Sequence, residues 1–590
     1  MKRILTLLLA MAMAATTLGG CSLKKEKPTE PVPTVDSAIN IQLGGEPNTL
    51  DPAFAATTAE ESYIIHLFEG LTTLDDRLEA QPAAAESWER LVSDAGEISY
   101  TFKLSDNAKW SDGEAVKAED FIYAWKRVVD PATKSPLAYR LYPIKGAKAI
   151  HEDSGDIADF GAEVKEDGSL VVTLEGECPD FLQRLATAPW MPLRESMVKA
   201  KPKGWYYDAE KFLTNGPYRL DKWERDTQIT MVRSDNYRDN KNVKAKKLNF
   251  VLSEDEEAIM AAYKGGTVQL ATNLPLMDIE ALPSENLRRD TLLGSYVLAF
   301  NTAHKPFDDA RVRSALSLAI DRKAIAAVLR DGSIPAEALI PKGAAVGGED
   351  LRKKGGKLLE ESANPEEAKK LLADAGYENG KGIPTIKFLV NDEEVHGRIA
   401  AAVAKMWEPL GITVETDVQG WDDYLVMRED GKFDVTRGAI FSDALYPSAF
   451  LDNWTGENPL NYTAYNSTDY NTLIDLSYGR KAKTEEKAEA DEKAEDKKAE
   501  DKKAEDKKPK TTTDKKVDAE TAETVKEEEK APVDCLTEAE KLLVKTDSVL
   551  APLTWYTNRY AIASGLAGIM SYPTGYMYFG GASYSKPAGK

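Results

Sequence analysis

Apolar and polar positions along the chain follow two periods in turn. Alternation marks Ile39-Asn40-Ile41-Gln42-Leu43, Ser99-Tyr100-Thr101-Phe102-Lys103-Leu104 and Leu170-Val171-Val172-Thr173-Leu174, and each predicts a half-buried strand. Helical spacing appears at Tyr63, Ile64, Leu67 and Phe68. It recurs near 117–129, where Phe121, Trp125 and Val128 fall on one face and read as core rather than ligand contacts. The run Asn215-Gly216-Pro217-Tyr218 predicts a tight turn entering a strand, and 248–271 predicts strand, helix and strand with a stop at Gly265-Gly266. Helical periodicity returns at 310–329 and 365–375. After Pro384 come a strand at 386–390, a helix at 395–410 and a strand at 412–416. Strands and helices taking turns in this way imply α/β lobes built from crossover connections.

Two stretches lie outside the pattern. Lys2 and Arg3 precede an apolar run from Ile4 to Ala15, about 12 residues where a membrane span needs about 20. Residues 1–20 therefore read as a secretory signal. The signal ends in Leu18-Gly19-Gly20-Cys21, which resembles a bacterial lipobox, so cleavage before Cys21 and a lipid on its thiol are expected. Residues 21–36, rich in Lys, Glu, Pro and Thr, bury too little to offset the entropy of ordering and predict a flexible tether. At 481–534 the unit Lys-Ala-Glu-Asp-Lys recurs with a period that matches neither the helix nor the coiled coil. No apolar stripe results, and a solvated charged insert is expected there.

Composition narrows the function. A chain of this length exceeds one simple core and implies two or more lobes. The formal charge of −22 argues against nucleic acid as a partner. Cys178 and Cys535, the two cysteines besides Cys21, form either a bridge or two free thiols in an oxidising compartment. The histidines, at 66, 151, 304 and 396, belong to no His-Glu-x-x-His, and neither Gly-x-Ser-x-Gly nor a phosphate-cradling loop occurs. The pattern favours binding over catalysis, with no cofactor or metal expected.

Short motifs in a fixed order carry more. They are Glu46-Pro47-Asn48-Thr49-Leu50-Asp51-Pro52, Phe68-Glu69-Gly70-Leu71, Trp110-Ser111-Asp112-Gly113, Ala118-Glu119-Asp120-Phe121 and Asn215-Gly216-Pro217-Tyr218. Phe300-Asn301-Thr302, Val312-Arg313-Ser314-Ala315-Leu316 and Ala319-Ile320-Asp321-Arg322 follow. Together they resemble the oligopeptide-binding proteins of ABC importers (extracellular solute-binding protein family 5, cluster C), over nearly all of 38–480 and 536–582. The resemblance implies a two-lobed, periplasmic-binding-protein-like α/β fold of type II. Lobe one would comprise 37–300 and 553–590, with an extra subdomain at about 86–215. Lobe two would comprise 301–552, interrupted by the charged insert, and the crossing strands would form the hinge. A monomeric receptor follows, lipid-anchored on the outer face of a Gram-positive-type membrane, that takes short peptides and passes them to an ABC importer. The alternatives on the same fold are a sensor of peptide signals and a binder of nickel complexes, haem or oligosaccharides.

The stretch from Phe433-Asp434-Val435-Thr436-Arg437 to Asp443 and Pro447 is similar to the family segment whose aspartate receives the ligand's α-ammonium, and Asp443 occupies that position. An ammonium is common to all unmodified peptides, so an enclosed carboxylate binds them without reading their sequence. The resemblance further implies that Arg428 and Arg437 receive the peptide carboxylate, that His396 does so for longer peptides, and that Trp421 and Tyr424 line the pocket. Ala444 and Ile440 depart from the aromatic residues usual at those places, which implies a reshaped cleft.

Overall fold

The computed structural model describes residues 38–272, 274–456, 458, 460–480 and 530–586. The expected signal, Cys21, the tether and 481–529 lie outside the described residues.

An 11-stranded sheet runs through the molecule. Its main strands are β1 (Ile39–Gly44), β2 (Tyr218–Glu224), β3 (Gln228–Arg233), β4 (Lys247–Leu252), β5 (Leu270–Ala271) and β6 (Leu287–Phe300). They continue with β7 (Ile386–Asn391), β8 (Val414–Gln419), β9 (Val435–Phe441) and β10 (Leu550–Ile562). The spatial order is β8-β7-β9-β6-β10-β5-β1-β4-β3-β2, and Ile334–Pro335 pairs with β10 off this path. Parallel contacts, β1 with β4 and β5 and β7 with β8 and β9, are those that helical crossovers supply.

Two long antiparallel strands join the halves. The first part of β6, Leu287 to Thr291, pairs with Thr557 to Ala561 of β10. Its second part, Gly294 to Phe300, pairs along all of β9. Register shifts between Thr291 and Ser295 and between Tyr296 and Val297 mark the crossing. The cores divide accordingly. Tyr560 and Ile562 pack with Ile41, Tyr63 and Phe250, whereas Tyr296, Leu298, Phe300, Ala551 and Leu553 pack with Phe388, Ile399 and Val435. Tyr296, Leu298 and Phe300, expected in lobe one, thus contribute to the lobe-two core. The strand keeps β10 as a partner throughout and gains β9 from Gly294 onward, and no sequence signal marks that point.

The segment at 86–215 carries a separate four-stranded sheet, Ala85–Val92, Ile98–Leu104, Leu170–Thr173 and Ala162–Val164 in that order. Helix Ala118–Val129 turns Phe121, Trp125 and Val128 inward, into a core shared with Tyr63 and Phe250. The Trp125 indole donates to the carbonyl of Trp190 at 2.9 Å. Docking is close at Gly70, where a β-carbon would stand 1.8 Å from the carbonyl oxygen of Leu185. Only glycine fits that approach.

Three local expectations are corrected. The helical pattern at 310–329 forms two helices, Ala310–Leu318 and Arg322–Leu329, because the Asp321 carboxylate caps the second by accepting from the Ala324 amide at 2.9 Å. The last strand expected at 412–416 lies at Val414–Gln419, after Gly411 ends the preceding turn in a left-handed conformation. The insert, expected to reach 534, gives way sooner to a helix that begins at Pro532, where proline suits a first turn. That helix, Pro532–Lys541, buries Val533, Cys535 and Leu536 in lobe two. Cys178 and Cys535 are unpaired.

Candidate functional site

Strand β9 leads into the site. β6 pairs with β9 over its full length, but β7 pairs with it only at Val435 and Thr436. From Gly438 to Phe441 one edge of β9 is left without a neighbouring strand among the described residues. Phe441 is exposed and stacks on Tyr556 of β10 at 4.6 Å between ring centres. The chain then turns through Ser442, whose hydroxyl donates to the Ala444 carbonyl at 2.7 Å, and this turn presents Asp443.

The Asp443 carboxylate already has partners. Its Oδ2 accepts from Arg140 Nε and from the Tyr139 hydroxyl, both at 2.7 Å. Both donors belong to the subdomain of lobe one, so the contact crosses between lobes. Arg140 also reaches Glu61 Oε2 at 3.3 Å, and Glu61 Oε1 accepts from the Ala188 amide. Burial alone would raise the Asp443 carboxyl, but Arg140, Tyr139 and Arg184 hold it below the ordinary carboxylate range. Glu61 lies deeper, and burial pushes it up despite Arg140. Asp443 is thereby kept ionised while its side chain remains 31% exposed, a carboxylate that a ligand can reach.

The other expected residues gather on a second cluster in lobe two. Arg437 lies on β9, buried, with Nε and Nη2 on Asn391 Oδ1 at 2.9 and 2.5 Å. Its guanidinium lies 5.6 Å from the ring of Trp421 and 5.2 Å from that of Tyr424. Helix Trp421–Glu429 places Trp421 half exposed, stacked on Tyr424 at 5.8 Å. Tyr424 is fully buried, and its hydroxyl donates to the Arg437 carbonyl at 2.6 Å. It orients β9 and presents no surface to a ligand. Arg428 stacks over Tyr462 at 4.7 Å, with a buried Nε that no protein acceptor reaches. His396, in the first turn of helix Glu394–Trp407, is buried against the Tyr296 hydroxyl at 3.1 Å. Burial and then Arg437 lower its pKa to about 4, so it is neutral at pH 7.

Arg437 on β9 and Asp443 in the turn that follows thus come from one stretch of chain, whereas Arg140, Tyr139 and Glu61 carry no signal in the sequence. No spacing rule links Arg140 to a partner 303 residues away.

Comparison with known proteins places this geometry. The oligopeptide-binding protein OppA of Bacillus subtilis is 31% identical over 469 residues, 78% of this chain and 85% of that protein. Among solved structures, an unliganded open form of the murein tripeptide-binding protein MppA superposes with a TM-score of 0.73 at 28% identity, covering 93% of this chain and 97% of the other. Another structure of Escherichia coli MppA, also 28% identical and covering 93% and 99%, gives 0.59. The model of bacterial extracellular solute-binding proteins, family 5 (middle) matches residues 79–462, and the chain belongs to that family.

Proposed function

We propose that the protein captures short peptides in the cleft between its lobes and delivers them to an ABC importer. The observation that carries this reading is the unpaired edge of β9 from Gly438 to Phe441, ending beside the ionised Asp443. An extended peptide adds there as one more strand, its main chain satisfying the edge in a sequence-independent way. Its ammonium reaches Asp443, and its carboxylate faces Arg437 or Arg428. Trp421 and Phe441 offer aromatic surface to its side chains. Closure follows because contacts to both lobes exist together only in the shut form, which a bound peptide therefore favours.

Calorimetric titration of refolded, ligand-stripped protein with tetrapeptides tests this. Peptides with free N-termini should bind about two orders of magnitude more tightly than their acetylated counterparts. The Arg140 contact favours a second reading, because a guanidinium already neutralises Asp443. A solute without an amine would then be the ligand, and neither peptide series would titrate.

Lipid on Cys21 belongs to the same proposal and would hold the receptor at the outer face of the membrane beside its importer. Cys21→Ser should move the protein from the detergent phase to the aqueous phase on temperature-induced phase separation. Retention in the detergent phase would remove Cys21 as the anchor.

A further inference from the structure

The chain just beyond the Asp443 turn enters the wall of a cavity at Tyr446 and Ser448. The cavity measures about 380 Å³ and opens between the subdomain, which contributes Cys178, Asp180 and Arg184, and lobe two, which contributes Tyr446, Asp452 and Tyr478. Four carboxylates, Glu175, Glu177, Asp180 and Asp452, line it against two guanidiniums, Arg184 and Arg480, and Glu177 also takes Arg90 from outside the cavity at 2.6 Å, which leaves one negative charge in excess.

Two of those carboxylates are incompletely used. Asp180 has a side chain only 5% exposed, and its Oδ1 takes the Arg184 guanidinium at 2.8 Å and the Cys178 thiol at 3.4 Å. Its Oδ2 is buried and no protein donor reaches it. Asp452 accepts from the Tyr478 hydroxyl at 2.5 Å through Oδ2, while its buried Oδ1 has no protein donor. Leaving such an oxygen buried and unbonded is costly, and two of them in one cavity with excess negative charge define a place for a cation. The rings of Tyr446 and Tyr478, 5.6 Å apart, add faces that attract one.

We infer that this cavity receives the cationic side chain, lysine or arginine, of the first residue of the bound peptide. The inference rests on the peptide reading of the Asp443 site and names a preference within it. Two observations tie the cavity to that end of the ligand. Tyr446 lies three residues beyond Asp443. The Arg184 charge bears on both Asp443 and Asp452, so one guanidinium neighbours both places. Binding would give Asp180 Oδ2 and Asp452 Oδ1 the donors they lack. Burial raises the Asp452 carboxyl to about 6, with Asp180 adding to the rise and Tyr478, Arg480 and Arg184 opposing it.

The test is calorimetric titration of the mature protein with Lys-Ala-Ala-Ala, norleucine-Ala-Ala-Ala and Ala-Ala-Ala-Ala at pH 7. The lysine peptide should bind at least about tenfold more tightly than its norleucine counterpart, as a charge-assisted hydrogen bond predicts. That ratio should fall to near unity in Asp180→Asn and in Asp452→Asn, with thermal melts confirming that both variants are folded. Equal binding of the lysine and norleucine peptides overturns the inference and leaves the peptide reading standing. A lysine preference that survives in both variants overturns the assignment to this cavity. Failure of all three peptides to bind overturns both.

Discussion

With Asp443→Ala, affinity for a free-amine tetrapeptide is expected to fall by about 3 kcal/mol, roughly two orders of magnitude. The figure is the lower end of what breaking a buried ion pair costs, because the Asp443 side chain is 31% exposed. Two effects add. The ligand ammonium loses its counter-charge, and it then meets an Arg140 that has lost one of its two carboxylates. Acetylated peptides, which never used the carboxylate, should be indifferent to the change. Calorimetry on both series reads the difference directly. Equal losses for free and acetylated peptides would show that Asp443 holds the cleft together through Arg140 rather than receiving an amine.

The largest effect on stability is expected at Glu540. Its side chain is wholly buried, and its oxygens accept from Arg352 at 2.8 and 2.9 Å and from the Ile340 amide at 2.7 Å. Arg352 is 4% exposed; its Nη1 makes both bonds to Glu540 and reaches the Ile340 carbonyl at 3.3 Å, while its Nε and Nη2 find no protein acceptor. Glu540→Gln strands that guanidinium without a counter-charge and should destabilise lobe two by about 3–5 kcal/mol. Urea unfolding followed at a lobe-two tryptophan such as Trp407 is the appropriate readout, since a two-lobed chain need not unfold in one step. The double change Glu540→Leu with Arg352→Met should recover much of the loss, because two apolar groups leave no charge uncompensated. If the Glu540→Gln protein were as stable as the original, the pair would have to be solvated.

Local periodicity makes most elements readable. Ile39 and Ile41 alternate in β1 and both are buried, and Phe121, Trp125 and Val128 share the inward face their spacing predicts. Boundaries set by long-range partners are not readable. β6 is one strand from Leu287 to Phe300, and only its pairing with β9 and β10 decides where lobe one gives way to lobe two. Residues 310–329 read as one helix because the side-chain pattern runs on through Asp321, while capping is decided by one hydrogen bond.

The site divides in the same way. Motif order places Asp443, Arg437, Arg428, Trp421 and His396 in one region of lobe two, since they derive from neighbouring elements. Tyr424 shows what motif order cannot supply, because a residue beside a pocket and a residue beneath it have the same spacing. Arg140 and the Asp180–Asp452 cavity depend on how the subdomain leans on lobe two, a relation that no window of sequence contains.

The unpaired edge of β9 poses a hazard that any folded protein has to meet. On a flat sheet, four consecutive residues without a strand partner would template the edge strand of a second copy and seed aggregation. Here the strip is short and side chains flank it, with Phe441 and Tyr556 stacked at one end and Trp421 and Arg437 at the other. Those flanks obstruct the broad edge of a second folded domain more than they obstruct a slender, unfolded segment. They therefore act as a sieve on the shape of what can pair, and on the function proposed above that segment is the peptide.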